Sequence, residues 1–177
     1  PSNAGIEAGC QGTLRAEIRL TGVRSHRARS WMGVNAVHAA GEILALLGAY
    51  VPRNPVVDGL TYREGLNAVA IQGGVAGNVI PDACIVTVNY RFAPDRSLSE
   101  AKAHVEETFA GYNVVFVDES DAARPGLDQP AAAAFVKTIG VDPQPKFGWT
   151  DVARFTALGT PALNYGPGDP SIAHQVD

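Results

Sequence analysis

The chain has 177 residues, 46% of them hydrophobic, and a formal net charge of −4. This hydrophobic content is enough for a packed core and argues against global disorder. The acidic balance argues against a general nucleic-acid or membrane-surface role, which needs a basic face, and no apolar run reaches the roughly 20 residues that span a bilayer. The two cysteines, Cys10 and Cys84, follow no metal-binding spacing and favour a reduced, cytoplasmic protein.

The pattern over residues 13–119 predicts the element order β-α-β-β-α-β. Residues 13–21 alternate apolar and polar side chains, which is typical of a half-buried strand. Asn35 is placed to cap a helix that continues to about residue 50. Ser97 and Glu100 have the spacing of a capping box at the start of another helix. The other predicted elements are strands over 66–74, 83–94 and 113–119, and the second helix covers 97–111. This is the order of the split βαβ, ferredoxin-like pattern.

A smaller α/β unit is predicted after residue 119. The stretch 120–130 is rich in turn-forming residues and is interpreted as a linker. The predicted elements that follow are a helix over 131–139, a strand near 145–149, a helix over 151–159 and a strand over 161–166. Asp151 is most simply the N-cap of the last helix. A lone unit of this size is marginally stable, so we expect it to be the tail of a domain whose main body lies before Pro1.

The four histidines are His26, His38, His104 and His174. His38 and His104 lie in predicted helices and lack the ligand partner at i+3 or i+4 that a helical metal site needs, so both are interpreted as structural residues. His174 follows a strand end and a Gly/Pro loop, the place where open α/β sheets bind ligands. It cannot hold a metal alone. Asp169 and Asp177 could contribute, although no spacing requires it.

Polar groups elsewhere indicate binding of an anion. His26 stands beside Arg27 and Arg29 ahead of a helix, which is either a solvated loop or a site for an anionic or oxyanionic group. Asn78 lies in a Gly-rich turn, and Arg91 ends a strand on its polar face. A guanidinium fork and an amide together suit a carboxylate. A turn asparagine and a surface arginine remain the alternative.

Four segments together resemble one enzyme family. They are GVRSHRARSWMGVNAVHAA (22–40), GGVAGNVIPDACIVTVNYRF (73–92), GWTDVARFTALGTPALNYGPG (148–168) and AHQVD (173–177). Their order is similar to that in the co-catalytic zinc amidohydrolases and metallopeptidases of the aminoacylase and glutamate carboxypeptidase type. The sequence around His26 and the stretch GWTDVARF (148–155) look most similar to those of actinobacterial succinyl-diaminopimelate desuccinylases.

This resemblance implies a particular domain organisation. Residues 13–119 would form a ferredoxin-like lid or dimerisation domain inserted in an α/β catalytic domain that binds two zinc ions, or cobalt in their place. Residues 1–12 would end the first catalytic segment, and residues 120–177 would form its C-terminal part. Pro1 matches a proline that follows a zinc-binding glutamate, so the other ligands would lie outside this chain and only His174 would bind metal. The chain alone is then expected to be inactive.

The resemblance also implies roles for individual residues. His26 would enter the active site of the partner subunit in a homodimer and donate a hydrogen bond to the developing oxyanion, while Asn78 and Arg91 would hold the substrate's carboxylate. Arg27 and Arg29 could add positive potential for a doubly acidic substrate. The expected reaction is zinc-dependent hydrolysis of an N-acyl amino acid, first of all N-succinyl-diaminopimelate to succinate and diaminopimelate. An acetylornithine deacetylase or aminoacylase, or a stand-alone non-catalytic dimerisation module, remains open.

Overall fold

The fold is organised around a four-stranded antiparallel sheet in a mixed α/β chain, which confirms the predicted class. The computed structural model describes residues 2–169. Its elements are β1 (Ile6–Ala8), β2 (Gly12–Thr21), β3 (Ser25–His26), a 3-10 helix (Arg27–Met32), α1 (Ala36–Ala49), β4 (Val56–Val57), β5 (Leu60–Thr61), β6 (Gly65–Gly73), β7 (Val79–Ile80), β8 (Ala83–Phe92), α2 (Leu98–Thr108), β9 (Asn113–Ser120), α3 (Pro130–Ile139), β10 (Gln144–Pro145), α4 (Val152–Ala157) and β11 (Leu163–Tyr165).

The main sheet has the strand order β6-β8-β2-β9. The two central strands, β2 and β8, pair over their full length, from Gly12 opposite Phe92 to Thr21 opposite Ala83. The outer strands β6 and β9 pair with β8 and β2 respectively, also antiparallel. The main-sheet strands and the two core helices occur along the chain in the order β2-α1-β6-β8-α2-β9, with β6 at one free edge of the sheet.

Alternating side chains give the sheet one apolar and one polar face. On the apolar face, Leu14 and Ile18 of β2 and Val86 and Val88 of β8 are almost completely buried. Helices α1 and α2 pack against this face and complete the main hydrophobic core. Burying it against two helices is what stabilises the sheet in water. Arg91 belongs to the opposite, polar face.

Local capping determines where both core helices begin, as predicted. The Asn35 side chain accepts hydrogen bonds from the backbone N–H groups of Val37 and His38. Ser97 and Glu100 form a complete capping box at the start of α2. The second helix ends at Thr108 rather than at residue 111, because Phe109 already leaves the helical conformation, with φ of −109° and ψ of 36°.

A second, three-stranded sheet joins the two ends of the described chain. Its order is β10-β1-β11, with β1 parallel to β10 and antiparallel to β11. The predicted linker is wrong at its start, because Ala123 forms a β-bridge with Cys10 and both are buried. Asp151 occupies the N-cap position of α4, as predicted, but its side chain forms no capping hydrogen bond, and its carboxylate pairs with Arg154 at 3.4 Å instead.

The segment between α1 and β6 braces these two sheets against each other. It contains the short β4–β5 hairpin. The Tyr62 hydroxyl donates to the Ala8 carbonyl at 2.8 Å and is fully buried. The Gln11 side chain donates to the Arg63 carbonyl at 2.7 Å. The brace fixes the point where the chain enters the main sheet. Among the described residues, no helix is long and apolar enough to cross a membrane.

Candidate functional site

His26 lies at an exposed tip of the main sheet. The two-residue strand β3 pairs with β7, which sets His26 opposite Val79. The Nδ1 atom of His26 accepts a hydrogen bond from the Ala28 backbone N–H at 3.1 Å. In the neutral imidazole the proton then sits on Nε2, because Nδ1 is used as an acceptor. His26 is exposed and not sealed in its own domain, so this Nε2–H can reach a group outside it.

Asn78 shares the tip with His26. The Arg27 backbone N–H donates to the Asn78 carbonyl at 2.9 Å, and the Arg27 guanidinium donates to the Gly77 carbonyl at 3.3 Å. Arg27 therefore holds the turn that carries Asn78, in addition to supplying charge. Arg29 is exposed, and neither arginine forms an ion pair with a carboxylate of the described residues. The tip presents one imidazole, one amide and two guanidiniums to solvent.

Arg91 lies at the other end of the same sheet. It is the next-to-last residue of β8, opposite Thr13 and Gly65. Strand β8 has ten residues, and at about 3.3 Å per residue its ends are roughly 30 Å apart. The structure therefore brings His26 and Asn78 together but leaves Arg91 far from both within one chain.

The Arg91 guanidinium is suited to an anion. The side chain is half-buried, and its Nη1 is buried with no hydrogen-bond partner among the described residues. Burial, followed by repulsion from Arg15, lowers the pKa of Arg91. The Asp118 carboxylate, which pairs with Arg15 at 3.7 Å, acts in the opposite direction and offsets only part of this lowering. A bound carboxylate would satisfy both the charge and the free N–H.

Two polar groups near this end were missed by sequence reasoning. Thr150 Oγ1 is buried and has no hydrogen-bond partner in the described part of the chain, while the Thr150 carbonyl accepts a weak hydrogen bond from the Cys10 thiol at 3.7 Å. Glu64 is a buried carboxylate held by several donors. Neither has a sequence signal of its own, because burial and an unused hydroxyl are properties of the folded chain.

The remaining histidines do not form a metal site with these residues. His38 is exposed on α1, and the His104 ring shares a 2.8 Å hydrogen bond with the Tyr50 hydroxyl. The proposed ligand His174, like Asp177, lies outside the described residues. Within residues 2–169, no group of three His, Cys, Asp or Glu side chains could hold a metal ion. A complete zinc site is thus not present in the described part of the chain.

Comparison with known proteins identifies the main domain. A peptidase dimerisation domain of the M20 type matches residues 9–114. A DapE protein of Mycobacterium tuberculosis is 56% identical over 180 residues, which cover 100% of this chain and 51% of the relative. The succinyl-diaminopimelate desuccinylase of Corynebacterium glutamicum is 48% identical over 100% of this chain and 50% of its own length. The chain spans about half the length of the curated relatives it matches.

Solved structures share the fold at low sequence identity. A tripeptidase from Staphylococcus aureus superposes with a TM-score of 0.68 at 16% identity, over 94% of this chain and 46% of its own. An M20 metallo-carboxypeptidase from Sulfolobus solfataricus gives 0.63 at 15% identity, over 91% and 52%. The predicted resemblance is confirmed: the chain belongs to the M20 family of zinc amidohydrolases and metallopeptidases, carries its dimerisation domain and resembles the actinobacterial DapE proteins.

Proposed function

We propose that this chain is part of a hydrolase that removes the succinyl group from N-succinyl-diaminopimelate and releases succinate and diaminopimelate. The observation that carries the proposal is the level of identity. The chain is 48–56% identical over its whole length to desuccinylase-type relatives, whereas the acetylornithine deacetylase of Myxococcus xanthus is 29% identical over 94% of it. A cytoplasmic location remains a prediction.

His26 is proposed to donate its Nε2–H to the oxyanion that forms when the amide carbonyl is attacked. The support is its exposure and the Ala28 N–H bond, which leaves the proton on the outward nitrogen. A donor aimed at a developing oxyanion typically lowers the barrier by roughly 3 kcal/mol. Asn78, on the same tip, is proposed to bind the substrate beside it. Arg29 and Arg27 add positive potential there.

Arg91 is proposed to bind a carboxylate of the substrate through its guanidinium. The support is the half-buried charge with an unpartnered N–H, which a carboxylate would satisfy bidentately. Arg91 is too far from the tip for both to hold one small molecule within a single chain. A site that contains His26, Asn78 and Arg91 must therefore combine two subunits.

Homodimerisation is proposed to occur through the free edge of the main sheet. Strand β6 ends the sheet, and its residues 67–73 are exposed, including Val69 and Ile71 at 58% and 50%. An exposed edge with apolar side chains is a template for another strand. Helix α1 continues this surface with Val37, which lies next to Gly73 of β6, and with Leu44 two helical turns further along, both of them exposed. A second copy of the domain would cover these groups.

The rest of the described chain is proposed to belong to the catalytic domain. Strand β1, from residues 1–12, pairs with β10 and β11, from residues 120–177, as expected for one domain interrupted by a lid of ferredoxin-like arrangement over 13–119. Two zinc ions, or cobalt in their place, and a role for His174 as a ligand remain part of the proposal.

The test is hydrolysis by the natural full-length protein. We expect turnover of N-succinyl-diaminopimelate, measured as the release of succinate. Chelation of the metal should abolish this turnover, and added zinc should restore it. Equal or faster turnover of N-acetylornithine would favour the deacetylase instead. The 177-residue chain alone should be inactive. If it dimerises, binds no zinc and corresponds to the natural gene product, it is a non-catalytic dimerisation module.

A further inference from the structure

A buried carboxylate lies beside the end of β8 and has no part in the function proposed above. The Glu64 side chain is completely buried. The Arg53 guanidinium donates to both of its oxygens, at 2.7 and 3.2 Å. The Tyr90 hydroxyl donates at 2.9 Å and the Ala93 backbone N–H at 3.0 Å. A side chain of Arg96 adds a second positive charge 3.7 Å away.

This arrangement keeps Glu64 ionised. Burial alone would raise its pKa, but the hydrogen bonds from Arg53, Ala93 and Tyr90 outweigh burial and leave the pKa below its usual value. The Arg96 guanidinium also contacts the Tyr90 hydroxyl, so that the donors are linked to each other. A buried charge is tolerated only when its partners are all in place, and the chain around Glu64 is therefore held in one arrangement.

The partners of Glu64 flank Arg91. Tyr90 precedes Arg91, and Ala93 follows it by two residues, while Gly65, next to Glu64 in sequence, pairs directly with Arg91 across the sheet. Because alternate residues of a strand point to opposite faces, Tyr90 reaches Glu64 on the apolar face while Arg91 projects from the polar face. The carboxylate therefore fixes the backbone on both sides of Arg91 without touching its guanidinium.

We propose that Glu64 is a positioning residue for Arg91. Strand β6 begins at Gly65 and β8 ends at Phe92. Arg91 therefore lies at the end of the β6–β8 pairing, where the backbone hydrogen bonds between the two strands open most easily. Its guanidinium is half-buried, its Nη1 has no hydrogen-bond partner among the described residues, and burial disfavours its charge. Tethering the strand end at Glu64 keeps this guanidinium in place before a ligand arrives, which is how a supporting residue preorganises a binding site. This inference rests on the proposed role of Arg91.

The test uses succinate, a dicarboxylate, as the probe and measures its Kd by calorimetry on the natural full-length protein. Arg91→Ala and Glu64→Gln are each expected to raise the Kd about tenfold, and the double variant to bind no more weakly than Arg91→Ala alone. Tyr90→Phe, which removes one donor and leaves all charges, should shift the Kd in the same direction by less. In turnover, Glu64→Gln should raise KM and leave kcat nearly unchanged.

The control is Asp58→Asn, in the same segment between α1 and β6 as Glu64. It breaks an exposed ion pair with Arg124 and should leave the succinate Kd unchanged. Unfolding temperatures of all variants separate misfolding from repositioning. The inference would be overturned if Glu64→Gln and Tyr90→Phe bound succinate with wild-type affinity. It would also be overturned if the Kd of the double variant exceeded that of Arg91→Ala by the full factor measured for Glu64→Gln, or if Arg91→Ala left the succinate Kd unchanged. The proposed function fails separately, if the wild type binds succinate through Arg91 but does not hydrolyse N-succinyl-diaminopimelate.

Discussion

Two variants that are each strongly impaired at low substrate concentration should regain activity when they share a dimer. The variants are His26→Ala and Arg91→Ala in the natural full-length protein. If one subunit supplies His26 and the other supplies Arg91 to the same active site, a heterodimer of the two variants has one site that lacks both residues and one site that is intact. The expected heterodimer activity is then about half that of the wild-type dimer, because a closed two-fold dimer has two equivalent sites.

The structure indicates how far the activity of the mixed dimer should exceed that of either homodimer. The two ends of β8 are roughly 30 Å apart, far beyond the reach of a single N-acyl amino acid, so one chain cannot complete the site. Loss of the His26 donor should lower kcat by about 100- to 1,000-fold in the homodimer. Arg91→Ala leaves the substrate's carboxylate without its guanidinium and should mainly raise KM. Recovery to about half therefore stands far above either homodimer.

The assay is co-expression of the two variants with different affinity tags, purification through both tags, and hydrolysis measured at a substrate concentration well below the KM of the Arg91→Ala homodimer. A heterodimer of two His26→Ala chains with different tags controls for tag effects and should stay inactive. If the mixed dimer is no more active than the better homodimer, both residues serve the same subunit, and the two-subunit site is wrong.

Three further predictions concern stability of the natural full-length protein. Asn35→Ala removes the acceptor that caps α1 and should lower the free energy of unfolding in urea by about 1 kcal/mol. Gly9→Ala should lower Tm, because Gly9 has φ of +58° and an added Cβ would lie 2.7 Å from the Tyr62 hydroxyl. Its matched control, Gly48→Ala, adds a Cβ in open space within α1 and should raise stability by up to about 1 kcal/mol. Tm changes of the same sign in the two variants would contradict this. Burial lowers the pKa of His104, so as the pH falls through about 6.5 the unfolded chain takes up a proton before the folded one, and stability should drop between pH 7.5 and 5.5. The drop should be smaller in His104→Phe; an equal drop would exclude His104 as its source.

Local patterns were sufficient to predict the main domain. The alternation in β2 and β8 is visible in the sequence because one face of each strand packs against helices, and the predicted strands differ from the observed ones by only one or two residues. The caps at Asn35 and Ser97 were also predicted correctly, since each depends on side chains within three residues. Hydrophobic periodicity and helix capping depend on residues close together in the chain, so both can be predicted from a single sequence.

Long-range pairings were not predictable in the same way. Strands β3 and β7 have two residues each, too few to show a period, and form only because Ser25 meets Ile80. The bridge between Cys10 and Ala123 likewise turned an expected linker into packed structure. Residue type pointed to His26, Asn78 and Arg91 as polar groups of interest, but the distance between them depends on the fold. Glu64 gave no signal among the 18 acidic residues, because its burial comes from tertiary packing.

The direction of β6 connects the proposed dimer to the proposed two-subunit site. This strand begins at Gly65, opposite Arg91, and ends at Gly73, just before the turn that carries Asn78. Its outer edge therefore runs from the Arg91 end of the sheet to the tip. When two such edges pair around a two-fold axis, the strands are antiparallel, and the end of one lies beside the beginning of the other. Edge pairing thus carries the His26 tip of one subunit toward the Arg91 end of its partner, so the free edge and the separated polar groups are consequences of one arrangement. Ile71→Lys on the exposed part of this edge should then abolish dimerisation in sedimentation experiments together with turnover. An active monomer would contradict the connection between the edge and the site.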